Sequence, residues 1–130
     1  MKEELDKKLV EKYPKLYKDR WGNPRHTAMC WGFPGDGWYD LLDRLSAKIE
    51  PLGAVATQVK EKFGELRFYY YIGASNTING VNQDAVDDAI GEAEEESKRT
   101  CEACGEPGKM RGGFWLKCLC DICSGERDND

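Results

Sequence analysis

Four cysteines in the last third of the chain limit its fold more than any other feature. Cys101-Glu-Ala-Cys104 and Cys120-Asp-Ile-Cys123 form two C-x2-C pairs with fifteen residues between them. Two residues between cysteines let both thiolates of a tight knuckle face one point, and Gly105 suits the turn that such a knuckle needs. Two facing knuckles make a tetrahedral four-sulfur site, the arrangement taken by a structural zinc ion. Because thiolates fill every position, water and substrate have no opening, and the metal contributes folding energy rather than chemistry. The same spacing holds iron in rubredoxin-like sites, and free thiols or disulfides are the remaining uses. Cys118 competes with Cys120, since residues two apart on a strand share a face. Cys120 is preferred because only it completes the second x2 knuckle. The intervening KMRGGFWLKCL reads as a strand or strand pair that brings the knuckles together.

Composition sets the frame around that module. The chain has 130 residues, 24 acidic against 19 basic, one histidine and a net charge of -5. This length predicts one domain with a small appendage. No window approaches the roughly 18 apolar residues of a membrane span, and the charged start MKEELDKKLVEKY is unlike a signal peptide. The expected setting is therefore cytoplasmic, where cysteines are read as metal ligands before disulfides. Four Trp, six Tyr and four Phe supply a core. The charge is uneven: +3 over residues 1–30, -1 over 31–72, -7 over 73–97 and balanced over 98–130. A dense basic nucleic-acid footprint is missing from this pattern.

Local periodicity predicts the elements. Leu5, Leu9, Val10 and Tyr13 give a short amphipathic helix over 2–13, stopped by Pro14. Trp38, Leu41, Leu42, Leu45 and Ile49 mark a second helix with Asp36 or Gly37 near its cap, ended before Pro51. Alternation of Val55, Thr57 and Val59, then of Leu66, Phe68, Tyr70 and Ile72, predicts a β-hairpin over 54–72 with Gly64 in its turn. Residues 73–83 read as a loop containing an Asn-Gly turn. Val86, Ala89, Ile90 and Ala93 mark a helix over 84–98, acidic at its start and basic at its end as the helix dipole favours. Gly91 inside it costs about 1 kcal/mol relative to alanine.

Catalytic signals are sparse. His26 and Cys30 suggest a Cys–His pair or a small-molecule pocket, but both lie in an irregular segment where four-residue spacing guarantees no contact. Asp36, Asp40 and Asp43 suggest a cation site or, more simply, a solvated helix face with a cap. No phosphate loop, G-x-S-x-G or H-E-x-x-H is present. Recognition is better supported. Trp21, Arg25, Trp31 and Trp38 gather on a Gly/Pro-rich frame, and Trp and Arg dominate interface energetics; the competing use of these indoles is to fill the core. Arg67, Tyr69 and Tyr71 form a strand stripe like the stacking surface of a single-strand binder, unless the helix over 84–98 covers it. That helix presents Asp87, Asp88, Glu92, Glu94, Glu95 and Glu96, which either steer a basic partner or confer solubility.

Taken in order, DRWGNPR, CWGFPGDGWYDLLDRLSAKIE, QVKEKFGELRFYY and CEACGEPGKMRGGFWLKCLCDIC resemble a group of small uncharacterised proteins encoded by phages and prophages. The resemblance runs from Tyr13 to Cys123. It implies a phage accessory protein in bacterial cytoplasm and names no reaction.

The expectation is an α+β fold in which helices pack on an antiparallel hairpin over residues 1–97. A zinc-ribbon or treble-clef-like module over 98–130 follows, with Cys101, Cys104, Cys120 and Cys123 as ligands of a structural zinc ion. The expected function is non-enzymatic binding of a host or phage protein, including inhibition of a host defence, through Trp21, Arg25, Trp31, Trp38, Arg67, Tyr69 and Tyr71. The alternatives are a zinc-dependent nucleic-acid binder using Arg99, Lys109, Arg111 and Lys117 with the tyrosine stripe, and a small-molecule binder or enzyme near His26 and Cys30.

Overall fold

A computed structural model describes residues 1–73, 81–112 and 115–128. Helix α1 (Glu3–Lys12) is followed by an irregular segment. A 3₁₀ turn (Asp36–Trp38) then runs into α2 (Tyr39–Ile49), strands β1 (Ala54–Lys62) and β2 (Glu65–Ile72) and helix α3 (Val81–Ser97). The chain finishes with strands β3 (Lys109–Arg111) and β4 (Lys117–Leu119) and helix α4 (Asp121–Asp128). This is the expected α+β architecture. Among the described residues, no helix is long and apolar enough to cross a membrane.

The β1–β2 hairpin turns on Phe63 and Gly64, which both take positive φ (55° and 80°) between the paired Lys62 and Glu65. Two left-handed residues give the turn whose twist matches the strands. The Glu61 carboxylate fixes it by accepting the Gly64 N–H at 2.7 Å. Pairing shifts between Ala56 and Gln58, so Thr57 is an extra residue in β1. One face of the hairpin then carries Ala54, Ala56, Val59, Leu66 and Phe68, all buried.

Helix α3 packs on β2 and α2 packs on α3, and all join one core with that face. Leu41, Leu42, Leu45 and Ile49 meet Val86, Ile90 and Ala93 there, and Leu9, Leu16, Tyr17, Met29 and Trp38 extend the core toward the N-terminal segment. Both free edges of the two-stranded sheet are closed. The Leu16 carbonyl accepts the Ala56 N–H at 2.8 Å on one side. On the other, α3 supplies the Ser97 hydroxyl and the Glu94 carboxylate to the Leu66 and Phe68 N–H groups at 2.9 and 3.3 Å. Burial holds Glu94 above the ordinary carboxylate range even though the Phe68 N–H opposes it. Capped edges do not recruit further strands.

Two expectations are corrected. Helix α3 starts at Val81, so the end of the expected 73–83 loop is helical, and the Asn-Gly turn lies outside the described residues. The hairpin's other face is not covered by α3, whose Val86, Ile90 and Ala93 join the core with the inner-face residues. Tyr69 and Tyr71 consequently stay 46% and 42% exposed.

Candidate metal centre and the surfaces around it

The first knuckle is a turn closed by the Gly105 N–H donating to the Cys101 carbonyl at 2.9 Å. Gly105 takes φ 87° there, a conformation open to glycine and strained for other residues. Strands β3 and β4 pair Lys109 with Leu119 and Arg111 with Lys117, which returns the chain to the knuckle. Strand β4 ends at Leu119 and α4 begins at Asp121, so Cys120 caps that helix and Cys123 sits in its first turn. The Cys123 N–H points to Cys120 Sγ at 3.4 Å, and the Ser124 N–H donates to the Cys120 carbonyl at 2.9 Å. Knuckle, hairpin and helix in this order are treble-clef-like.

The sulfurs of Cys101, Cys104, Cys120 and Cys123 lie within 4.8 Å of one another. Cys104 and Cys120 are 3.6 Å apart. A tetrahedron with sulfurs about 2.3 Å from a central ion has edges of about 3.8 Å, so the cluster fits a thiolate-bound metal. Its electrostatics also call for a cation. Burial raises Cys101, but N–H groups of Cys120, Cys104 and Ala103 outweigh it and bring the thiol down to about 7. Cys123 is pushed far above an ordinary thiol by contact with Cys120, by burial and by the other two sulfurs. The thiol brought down at Cys101 and the thiols held up at Cys104 and Cys123 are what clustered sulfurs show without a cation, and a positive ion would relieve that repulsion.

Cys118 is not part of this cluster. It is buried, and its thiol donates to the Lys98 carbonyl at 3.1 Å. Strand alternation would have placed Cys118 and Cys120 together, but the strand stops between them, and the helix that follows turns Cys120 inward to the site.

The knuckle rests on the Gly/Pro-rich segment, a contact that residue spacing does not announce. The Gly37 N–H donates to the Glu102 carbonyl at 2.7 Å and the Gly35 N–H to the Glu102 carboxylate at 3.0 Å. A Cβ on Gly37 would lie 2.1 Å from the Cys101 carbonyl oxygen and 2.5 Å from the Gly105 nitrogen. Glycine at 37 is thus required by proximity. Trp38 is wholly buried and its indole N–H donates to the Thr100 carbonyl at 2.9 Å. Glu102 continues the network through Lys117 to Glu61, at 3.3 and 2.8 Å. Burial pulls Lys117 down, but these two carboxylates overcome it and hold its pKa above the ordinary lysine value.

The expected partner-binding residues therefore separate. Trp38 belongs to the core and to the knuckle's seat, which removes it from any contact surface. Trp21 and Trp31 are 63% and 74% exposed, and Arg25 is exposed near them in sequence. Their segment is firmly held. The Arg20 guanidinium meets both oxygens of Asp6 at 3.0 and 2.7 Å, donates to the Cys30 carbonyl at 2.9 Å and lies over the Trp21 ring at 4.2 Å. Gly32, at φ 86°, leaves room for it, and Met29 anchors the segment in the core.

Other candidates find structural partners. The Cys30 thiol donates to the Thr27 carbonyl at 3.4 Å, and His26 is exposed. Asp36 accepts the Lys2 N–H, and Asp43 accepts from Tyr13 and Lys12. On α3, Asp87 meets Tyr70, Glu92 meets Lys48, Glu95 meets Lys98 and Glu96 meets Arg44, so much of the acidity is paired within the molecule. Of the basic set considered for nucleic acid, Lys117 is held by Glu61 and Glu102, and Arg111 by Asp121 at 2.6 Å. Arg99 and Lys109 are exposed. Comparisons of this chain with family models, with curated proteins and with solved structures find no match.

Proposed function

We propose that this chain is a zinc-stapled binding protein that captures a macromolecular partner, a protein, on the surface presented by Trp21 and Trp31. The observation carrying this reading is the pairing of two exposed indoles with a rigid support. The Arg20 bridge between Asp6 and Cys30 fixes the backbone that bears them. Exposed indoles on a fixed loop lose little entropy on binding, which is what anchor residues require. Arg25 extends the surface with a residue type favoured at such anchors. Zinc is the proposed ion because the closed four-thiolate set and the 3.6 Å sulfur separation suit its tetrahedral preference. The phage-encoded group that the sequence resembles makes a host protein the natural partner, with inhibition of a host defence as the use.

The test is affinity capture from a bacterial host lysate with the zinc-loaded chain beside Trp21→Ala/Trp31→Ala, followed by titration of the captured protein. Anchor residues of this kind contribute about 2 kcal/mol or more each, so each single substitution should weaken binding about thirtyfold and the double variant about a thousandfold. A folded double variant that retains its partner at wild-type affinity would remove the reading.

A further inference from the structure

We infer that the outer face of the β1–β2 hairpin is a second binding surface, distinct from the tryptophan loop, and that its ligand is a single-stranded nucleic acid. Tyr69 and Tyr71 stand on this face two residues apart on β2, a separation of about 6.6 Å along the strand. The two residues are 46% and 42% exposed. A sheet that displays aromatic rings in this way stacks unpaired bases.

The cations are arranged around the rings. Lys60, which pairs with Arg67 across the strands, has its ammonium 5.7 Å from the centre of the Tyr69 ring. Lys18 reaches from the N-terminal segment to within 5.9 Å of the Tyr71 ring centre. Beyond Tyr71 the face continues into a cleft of about 480 Å³ lined by Lys15, Lys18 and Val55, the cross-strand partner of Tyr71. A chain of bases on the two rings thus shares each ring with the ammonium that lies over it and has a basic cleft at one end, where its phosphates would run.

The nearby carboxylates do not reverse this charge. Glu50 at the cleft wall spends an oxygen on the Lys15 and Leu16 N–H groups, both at 3.1 Å. Glu65 lies between Arg67 and Lys98 at 3.8 and 3.9 Å. The acidic helix α3 packs on the inner side of the hairpin and reaches the β2 edge, where the Glu94 carboxylate accepts the Phe68 N–H at 3.3 Å and interacts with Arg67. Salt confines electrostatic influence to about 10 Å at 0.1 M ionic strength, so the ligand responds to the local basic surface more than to the overall charge of -5.

The probe is a labelled oligothymidylate about twelve nucleotides long, titrated with the zinc-loaded full chain in fluorescence anisotropy at about 50 mM salt. Single strands should bind well above a duplex of the same length. Three phosphate contacts give a slope of about -2 in log affinity against log salt. Tyr69→Ala and Tyr71→Ala should each weaken binding about fivefold to a hundredfold, whereas Tyr→Phe at either position retains it. Lys18→Glu with Lys60→Glu should weaken it further and flatten the salt slope. Far-UV circular dichroism and zinc content verify that each variant is folded.

Absence of binding at about 50 mM salt, or alanine variants that bind as wild type does, would overturn the inference. So would equal affinity for duplex or for polyglutamate, which would make the face a general polyanion surface. Trp21→Ala/Trp31→Ala should leave oligonucleotide binding unchanged; a matching loss there would place the ligand on the other surface and overturn the assignment.

Discussion

Replacing Gly37 by alanine tests whether the metal knuckle and the Gly/Pro-rich segment are one structural unit. Gly37 does not have positive φ, so alanine carries no backbone penalty of its own and the substitution isolates the steric effect. Its Cβ would lie 2.1, 2.5 and 2.7 Å from the Cys101 carbonyl oxygen, the Gly105 nitrogen and the Cys104 nitrogen. All three are backbone atoms, which cannot swing aside as a side chain would. The knuckle must therefore retreat, and three hydrogen bonds are exposed to loss: Gly37 to the Glu102 carbonyl, Gly35 to the Glu102 carboxylate and Trp38 to Thr100. Two neutral bonds at about 1 kcal/mol and a charged one at about 2 put about 4 kcal/mol at stake. Water recovers part of this, leaving a net loss of about 3 kcal/mol. For a chain of this size that lowers Tm by about 10–15 °C. The assays are thermal unfolding of the zinc-loaded protein, indole emission for the surroundings of Trp38, and competition with a chromogenic chelator for metal affinity. A variant that melts within about 2 °C of wild type, with unchanged emission and zinc affinity, would refute the claim that the knuckle is seated on this glycine.

Gly91 provides the opposite case: a Cβ there meets nothing within 4 Å, so Gly91→Ala should stabilise α3 by about 0.5–1 kcal/mol and raise Tm. Metal analysis of freshly reduced protein should find one zinc per chain, lost from Cys120→Ser and retained by Cys118→Ser; the reverse pattern would reassign the fourth ligand. Burial opposes the charge on Asp43, but bonds from Tyr13 and Lys12 outweigh it and hold its pKa below the ordinary aspartate value. Its contribution is therefore complete above the unfolded pKa and is lost as pH falls below the ordinary aspartate range through the folded one; denaturant midpoints on acidification should fall less steeply for Asp43→Asn than for wild type.

Where structure depends on neighbouring residues, the sequence could be read directly. The hairpin turn at Gly64 follows from local backbone preference, and the faces of α2 and α3 follow from side chains that recur with the helical period. The four-cysteine cluster was legible for a similar reason, since two C-x2-C pairs constrain geometry within each knuckle. Helix α4 was not anticipated, and it decides between Cys118 and Cys120, because a residue after the strand no longer follows strand alternation. The seat of the knuckle on Gly35 and Gly37 was beyond reach of any local pattern. It joins positions more than sixty residues apart, and Gly/Pro composition describes a loop equally well whether it faces solvent or another backbone. That ambiguity grouped Trp38 with Trp21 and Trp31, although one packs inside and the other two stand on the surface. The Glu61–Lys117–Glu102 relay was hidden for the same reason: only the fold makes neighbours of three ordinary charged residues.

The knuckle's seat also sets an order of events during synthesis. Gly35, Gly37 and Trp38 leave the ribosome long before Thr100, Glu102 and the four cysteines that complete their surroundings. Until those residues emerge, the indole of Trp38 lacks its acceptor and Gly35 and Gly37 lack Glu102 to bond to. Helix α2, the hairpin and the core residues of the segment ahead of α2 can pack earlier from their own contacts, but the seat at Gly35 and Gly37 must wait. On the proposed reading of a metal-bound module, metal supply would then time the closing of this seat, and a nascent chain starved of metal would leave Gly35, Gly37 and Trp38 without these partners, far along the chain from the cysteines themselves.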